Sequence, residues 1–210
     1  MFFLPFLGFL SILTKADEPA YGTTEGIGAP AEVKASTFIN EHKIPISKYT
    51  TTGDLPNYPF SNALGDSLDN RYWVGSIETT DTDKNIVELE FDDLQIVGSI
   101  LYYVPFRTSG SIRHFDGFPT ILNIYSKVND TYPYELKYTV NNQPSYPSSF
   151  DSVIIQFPRR IICRKLKLEF VEVTEDRSVT STGKRYAEIR ELFIFKNTTE
   201  NPYFPAQKAT

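Results

Sequence analysis

The sequence predicts an all-β domain, a sandwich or barrel of short strands, and three observations predict it. Aromatic residues are abundant, with 13 Tyr and 16 Phe in 210 residues, and such side chains fit pleated, half-buried surfaces. Apolar and polar residues alternate with period two in several short runs. Turn-forming pairs separate those runs, and no stretch carries a convincing amphipathic-helix pattern. Pro outnumbers Gly, 14 to 11, which suits strand edges and turns.

The runs follow one another from residue 86 onward. Ile86-Val87-Glu88-Leu89-Glu90-Phe91 alternates as a half-buried strand does, and 96–104 is a longer apolar run suited to a central strand. Strands are further expected at 120–127, 134–141, 152–157, 164–173 and 186–196. In 164–173, Leu166, Leu168 and Phe170 point one way while Lys165, Lys167 and Glu169 point the other. Turn chemistry divides these strands at Asp92-Asp93, Ser109-Gly110-Ser111, Asp116-Gly117, Asn129-Asp130, Asn141-Asn142 and Thr182-Gly183.

The ends read differently. Residues 1–13 form an apolar run too short to span a bilayer, followed by Thr14-Lys15-Ala16. Residues 1–16 are therefore expected to be a secretory signal peptide, although no Lys or Arg precedes the apolar run. Residues 17–55, rich in Thr, Pro, Gly, Ala and Glu, read as a linker or leader with a short helix near 35–42. The domain is expected over 56–197 and a flexible tail over 198–210. Secretion fits the sequons at Asn129 and Asn197, the expected glycosylation sites. The single Cys163 allows no internal disulfide and is expected to be a buried structural thiol.

Several function classes lose support. The net charge of −5 argues against a nucleic-acid partner, which demands a positive face to release counterions. The basic stretch Arg159, Arg160, Arg164, Lys165 and Lys167 lies in strand-like sequence and reads as a solvated face. No second apolar stretch is long enough for a transmembrane anchor. Two histidines, His42 and His114, leave no multi-histidine zinc site, and neither HExxH nor GxSxG occurs. A carboxylate pair could work as in a glycosidase, but the acidic residues mostly fall in turns or at exposed strand positions. The chain is expected not to be an enzyme.

Two segments carry a family resemblance. Residues 64–73, Leu-Gly-Asp-Ser-Leu-Asp-Asn-Arg-Tyr-Trp, form a turn-prone loop that ends in Tyr72-Trp73. The last strand supplies Tyr186-Ala187, Ile189 and Glu191-Leu192-Phe193-Ile194-Phe195. As an ordered set with 87–91, 96–103, 152–157 and 161–170, these resemble the discoidin family, the coagulation factor 5/8 type C domains of the galactose-binding-like superfamily. The sequence departs from the pattern in reading Gly65-Asp66 for Asp-Gly and Arg71 for the usual Thr, and in lacking the terminal disulfide.

The resemblance implies an antiparallel, jelly-roll β-sandwich. It also implies a structural calcium held by loop oxygens of Asp66, Asp69 or Asn70 together with Glu191 of the last strand. Calcium takes six to eight oxygens, and a tight loop supplies carbonyls beside two carboxylates. The competing reading is that Asp66 and Asp69 hold turns and Glu191 is solvated. Family ligand sites lie on loops at one end, where residues 106–118 mix aromatics with Arg107, Arg113 and His114. A second loop brings Tyr146. Aromatic faces stack on pyranoses, and Arg, His and Asp bond ring hydroxyls. The expected function is a lectin-like module that binds a glycan or cell-surface ligand. The alternative is a protein- or membrane-surface adhesion module using the same loops. Trp73 reads as core rather than as a sugar platform.

Overall fold

The protein was analysed as a computed structural model, which describes residues 22–23, 42–65, 71–109, 112–141, 152–175 and 184–196. Eleven strands and one short 3-10 helix make up these segments. They are β1 (Gly22–Thr23), β2 (Lys48–Thr51), η1 (Phe60–Leu64), β3 (Trp73–Val74) and β4 (Asn85–Tyr103). After them come β5 (Phe106–Ser109), β6 (Ile112–Phe115), β7 (Pro119–Lys127) and β8 (Glu135–Asn141). The last three are β9 (Ser152–Val173), β10 (Glu188–Ile189) and β11 (Glu191–Lys196). All pairings are antiparallel.

The architecture is an antiparallel β-sandwich built on two long strands that each serve both sheets. β4 and β9 stay paired from Asn85↔Phe170 to Tyr103↔Ser152, but the register shifts twice, between Glu90 and Gln95 and between Val97 and Ser99. Extra residues fall first on β4 and then on β9, and such bulges bend a ladder without ending it. The first arm of the pair runs with β2 and β7–β8, and the second with β11 and β1. Asp92-Asp93, expected as a turn, therefore lies in a bulge of one continuous strand, and the expected strands 152–157 and 164–173 are arms of β9. Asp92, Asp93 and Leu94 are exposed there. Pro158 lies in the matching bulge of β9, where a missing N–H costs least.

One core unites the arms. Val87, Leu89 and Phe91 from the first arm and Val97, Ile100 and Tyr102 from the second belong to a single buried cluster. Leu166, Leu168 and Phe170 enter it from β9 as alternation predicts. Trp73 is fully buried between Phe60 and Phe170, with ring centroids at 5.4 and 5.5 Å. Cys163 is buried as expected, and burial pushes its thiol up to about 12.

The sandwich also takes in the end of the expected leader. Ile44 is buried and donates its N–H to the Ile194 carbonyl at 2.7 Å. β2 pairs with β4 from Lys48↔Glu90 to Thr51↔Val87. Asp54 accepts from the Trp73 indole at 2.9 Å, the Thr51 hydroxyl at 2.8 Å and the Phe60 N–H at 3.3 Å. β2 is only four residues long, too short to show a period against polar neighbours. Of the expected helix near 35–42, only His42 lies within the described residues.

Candidate functional site

Strand register places Arg107, Arg113 and His114 in the connection between β4 and β7, at one end of the sandwich. β8 ends at Asn141, opposite Ile121 of β7 in the first sheet. β9 begins at Ser152, opposite Tyr103 of β4 in the second. Tyr146 lies between β8 and β9 in sequence and outside the described residues. The chain from Tyr103 to Pro119 crosses from the second sheet to the first at this end. The segment expected as a loop over 106–118 is instead a β-hairpin, β5 paired with β6. Arg107 lies opposite His114, and Arg113 lies opposite Thr108. The hairpin was missed because its strands are four residues long and its apolar residues are few.

The base of the hairpin is pinned to the sandwich. The Glu188 N–H donates to the Gly117 carbonyl at 3.2 Å. The Phe118 N–H donates to the Thr174 hydroxyl at 2.9 Å, and the Thr174 N–H returns to the Phe118 carbonyl at 2.9 Å. Phe118 itself is core. Gly117 has φ of 60°, in the left-handed region, and a Cβ there would come within 2.4 Å of both the Glu188 Cγ and the Tyr186 carbonyl. Only glycine permits this approach without displacement.

The expected metal ligands divide. Glu191 is buried at 2% exposure, which overturns the reading of a solvated side chain, and it lies opposite Tyr103. Asp66, Asp69 and Asn70 lie outside the described residues. Both ends of their loop, however, meet the chain that flanks Glu191. η1 enters the loop and packs against β11. β3 leaves it and pairs with β10, Trp73 opposite Ile189 and Val74 opposite Glu188. Among the described residues no group of three or more His, Cys, Asp or Glu could hold a metal ion. Two more buried carboxylates at this end, Asp116 (2%) and Glu188 (0%), were not expected. Asp116 looked like an ordinary turn residue, and nothing in its sequence neighbours marks it as buried.

Two clefts accompany this frame. One of about 330 Å³ lies at the same end, between the 79–84 segment and β9, and is lined by Thr79, Lys84, Glu172 and Arg185 among others. Nearby, Glu78 pairs with Lys184 at 3.1 Å and raises the lysine's pKa. The larger, about 410 Å³, is a depression on the flank of the first sheet over Lys48, Glu88, Glu90 and Lys165. Lys165 pairs there with Asp130 at 2.8 Å and Glu90 at 3.3 Å, while Lys167 sits over the Tyr125 ring at 4.0 Å. These charges satisfy one another, as on an ordinary solvated sheet face. Arg159, Arg160 and Arg164 are exposed, also as expected. The sequon at Asn129 sits in an exposed turn, where the Asn129 side-chain oxygen accepts from the Thr131 N–H and hydroxyl. Asn197 lies outside the described residues.

Comparison with solved structures identifies this frame. The paired modules CBM32-1 and CBM32-2 of Clostridium perfringens ZmpB match with a TM-score of 0.62 at 20% identity, over 81% of this chain and 40% of theirs. The family 32 carbohydrate-binding module of C. perfringens NanJ, solved with galactose, matches at 0.52 and 20% identity, over 74% of this chain and 98% of that one. A further C. perfringens module, CpGH89CBM32-5, solved with GalNAc-β-1,3-galactose, matches at 0.51 and 17% identity, over 70% and 94%. The chain shares the antiparallel β-sandwich fold of these modules. No protein-family model matches it, and no curated protein matches its sequence. The chain spans less than half of the ZmpB structure and nearly all of the single modules. Among the described residues no helix is long and apolar enough to cross a membrane.

Proposed function

We propose that the chain is a secreted, non-catalytic carbohydrate-binding module that takes a terminal sugar of the galactose type at the hairpin end. The supporting observation is the register. It sets the β5–β6 hairpin, whose sequence carries Arg107, Arg113 and His114, at one end of a fold shared with modules solved with galactose and GalNAc-β-1,3-galactose, the end where Asn141 and Ser152 flank the segment of Tyr146. Guanidinium and imidazole groups donate to ring hydroxyls, and a tyrosine ring covers the apolar face of a pyranose. The non-catalytic reading rests on the same likeness to binding modules.

The test is calorimetric titration with galactose, N-acetylgalactosamine and glucose. Binding of the first two is expected. Arg107→Ala and His114→Ala are each expected to weaken it about tenfold or more, about 1.4 kcal/mol, without changing the melting temperature. Affinity unchanged in both variants sinks the site assignment. Binding confined to anionic vesicles or to a protein, with no sugar competing, favours the adhesion module instead.

Calcium is part of the same proposal. Its ligands would be Glu191, already buried, and oxygens of Asp66, Asp69 or Asn70 in the loop whose two ends flank it. The ion would tie the start of the domain to its last strand, a service to a fold with no disulfide. Melting in millimolar calcium is expected to exceed melting in chelator, by about 2.7 kcal/mol at a hundredfold excess over Kd. Glu191→Gln is expected to abolish the difference. Identical curves in calcium and chelator would remove the ion and leave the sugar site standing. Glycans at Asn129 and Asn197 belong to the secreted reading and are checked by mass shift on deglycosylation.

A further inference from the structure

The second sheet buries part of its outer face, on β4 and β11, although the core occupies the other face. Across this sheet the strand order is β1–β9–β4–β11, with Lys43 bridging to Phe195 at the far edge. One row, Ile155, Ile100, Ile194 and then Ile44, is fully buried and belongs to the core. The neighbouring row holds Leu101 opposite Phe193, and the next holds Ser99 opposite Phe195. Alternation puts these four residues on the opposite, outer face. They are outside the core cluster, yet their exposures are only 1% for Leu101, 3% for Phe193, 3% for Ser99 and 1% for Phe195. The outer face of the first sheet differs, for Lys165, Lys167 and Glu169 are only half-buried there.

The covered part of the outer face is mainly apolar and aromatic, with Glu191 buried opposite Tyr103 at one end and Gln156 exposed beside Ser99 toward the β9 edge. The Phe193 and Phe195 rings stack with centroids 6.2 Å apart, and Tyr103 meets Phe193 edge-on at 6.4 Å. At its rim the Lys43 ammonium lies 5.2 Å from the Phe193 ring centre. The chain termini of the described segments name the occupant. Thr23 ends β1 on the β9 edge of this sheet, opposite Ile154. The next segment begins at His42, and Lys43 bridges to Phe195 on the β11 edge. Residues 24–41 must connect these two edges. Four strand spacings measure about 19 Å, while a chain of that length reaches about 60 Å when extended. The inner route is filled by core. We propose that the outer face of the second sheet is a docking surface whose occupant is this chain's own segment 24–41, with Val33, Phe38 and Ile39 supplying its apolar contacts. This inference is independent of the sugar site, which lies at the end of the sandwich.

Thiol labelling in the full-length chain tests it. Ser99→Cys is nearly isosteric and places a reporter on the covered face, while the native Cys163 stays buried in the core. Its labelling is expected to be slow, and about tenfold faster or more once Val33, Phe38 and Ile39 are all changed to Ser, because local opening then costs less. Changing Tyr203 and Phe204 of the C-terminal segment to Ser is expected to leave the rate unchanged. Should the triple variant fold poorly, Phe38→Ser alone is read by hydroxyl-radical footprinting, with Phe193 and Phe195 expected to gain oxidation. Rapid labelling of Ser99→Cys in the otherwise native chain overturns the proposal. So does an unchanged rate in the triple variant, or release by the Tyr203 and Phe204 changes instead.

Discussion

Replacing Gly117 by alanine is expected to loosen the candidate site through its foundation. The residue sits directly beneath the β5–β6 hairpin, at φ of 60°, with its carbonyl accepting from Glu188. Two costs add. The left-handed conformation costs an alanine roughly 1 kcal/mol more than a glycine. The new Cβ must also push away the Tyr186 carbonyl and the Glu188 side chain, each at 2.4 Å. One of these obstacles is backbone and the other is fully buried, so relief requires a shift of β10 relative to the hairpin base. Overpacking of this kind costs about 1–3 kcal/mol. The sum, about 2–4 kcal/mol, corresponds to roughly 4–16 °C in melting temperature for a domain of this size. Urea unfolding followed by Trp73 fluorescence measures it. Gly117→Asn separates the terms, because asparagine tolerates the left-handed region while carrying the same Cβ. It is expected to recover less than half of the loss. Because the hairpin moves with its base, sugar affinity should fall in both variants by more than the melting shift alone explains. A Gly117→Ala protein within about 0.5 kcal/mol of wild type would falsify the clash and the pinning of the hairpin together.

Other expectations follow from single contacts. Asp54→Ala removes the acceptor of the buried Trp73 indole and of two further donors, and is expected to cost about 3 kcal/mol in urea unfolding; Asp54→Asn, which keeps one acceptor oxygen, should cost about 1 kcal/mol. Cys163, its thiol pushed up to about 12 by burial, should resist thiol reagents at pH 8 until the protein unfolds, and an exchange assay in native buffer that labels it within minutes contradicts the assigned packing. Asp130, hydrogen-bonded by Lys165 and then Lys127, is lowered to about 2. A depressed carboxylate contributes above its unfolded pKa and loses that contribution as pH falls through the folded one, here between about 4 and 2. Carbon-detected NMR titration should place its midpoint near 2, and Lys165→Met should return it toward the ordinary carboxylate range.

The sequence by itself determined the elements that alternate long enough to show a period. Leu166, Leu168 and Phe170 were legible as an inward row because a half-buried strand repeats every two residues, and Trp73 was legible as core. The antiparallel β-sandwich was legible from the alternating runs and the turns between them. Only the tertiary structure decided which pieces are continuous. Asp92-Asp93 has turn chemistry, yet the ladder closes again at Gln95↔Cys163 and the pair becomes a bulge inside β4. β2 and the β5–β6 hairpin are four residues per strand, too short to register against noise, and are strands only because β4 and each other supply partners. Asp116 and Glu188 read as surface carboxylates and are buried where the Gly117 turn packs against Tyr186 and Glu188. Most of all, the position of the β5–β6 hairpin and of Asn141 and Ser152 at one end rests on pairings between residues apart in sequence, Tyr103 with Ser152 and Ile121 with Asn141. Local pattern carries no information about such pairings, because they are fixed by how two long strands bend over a shared core.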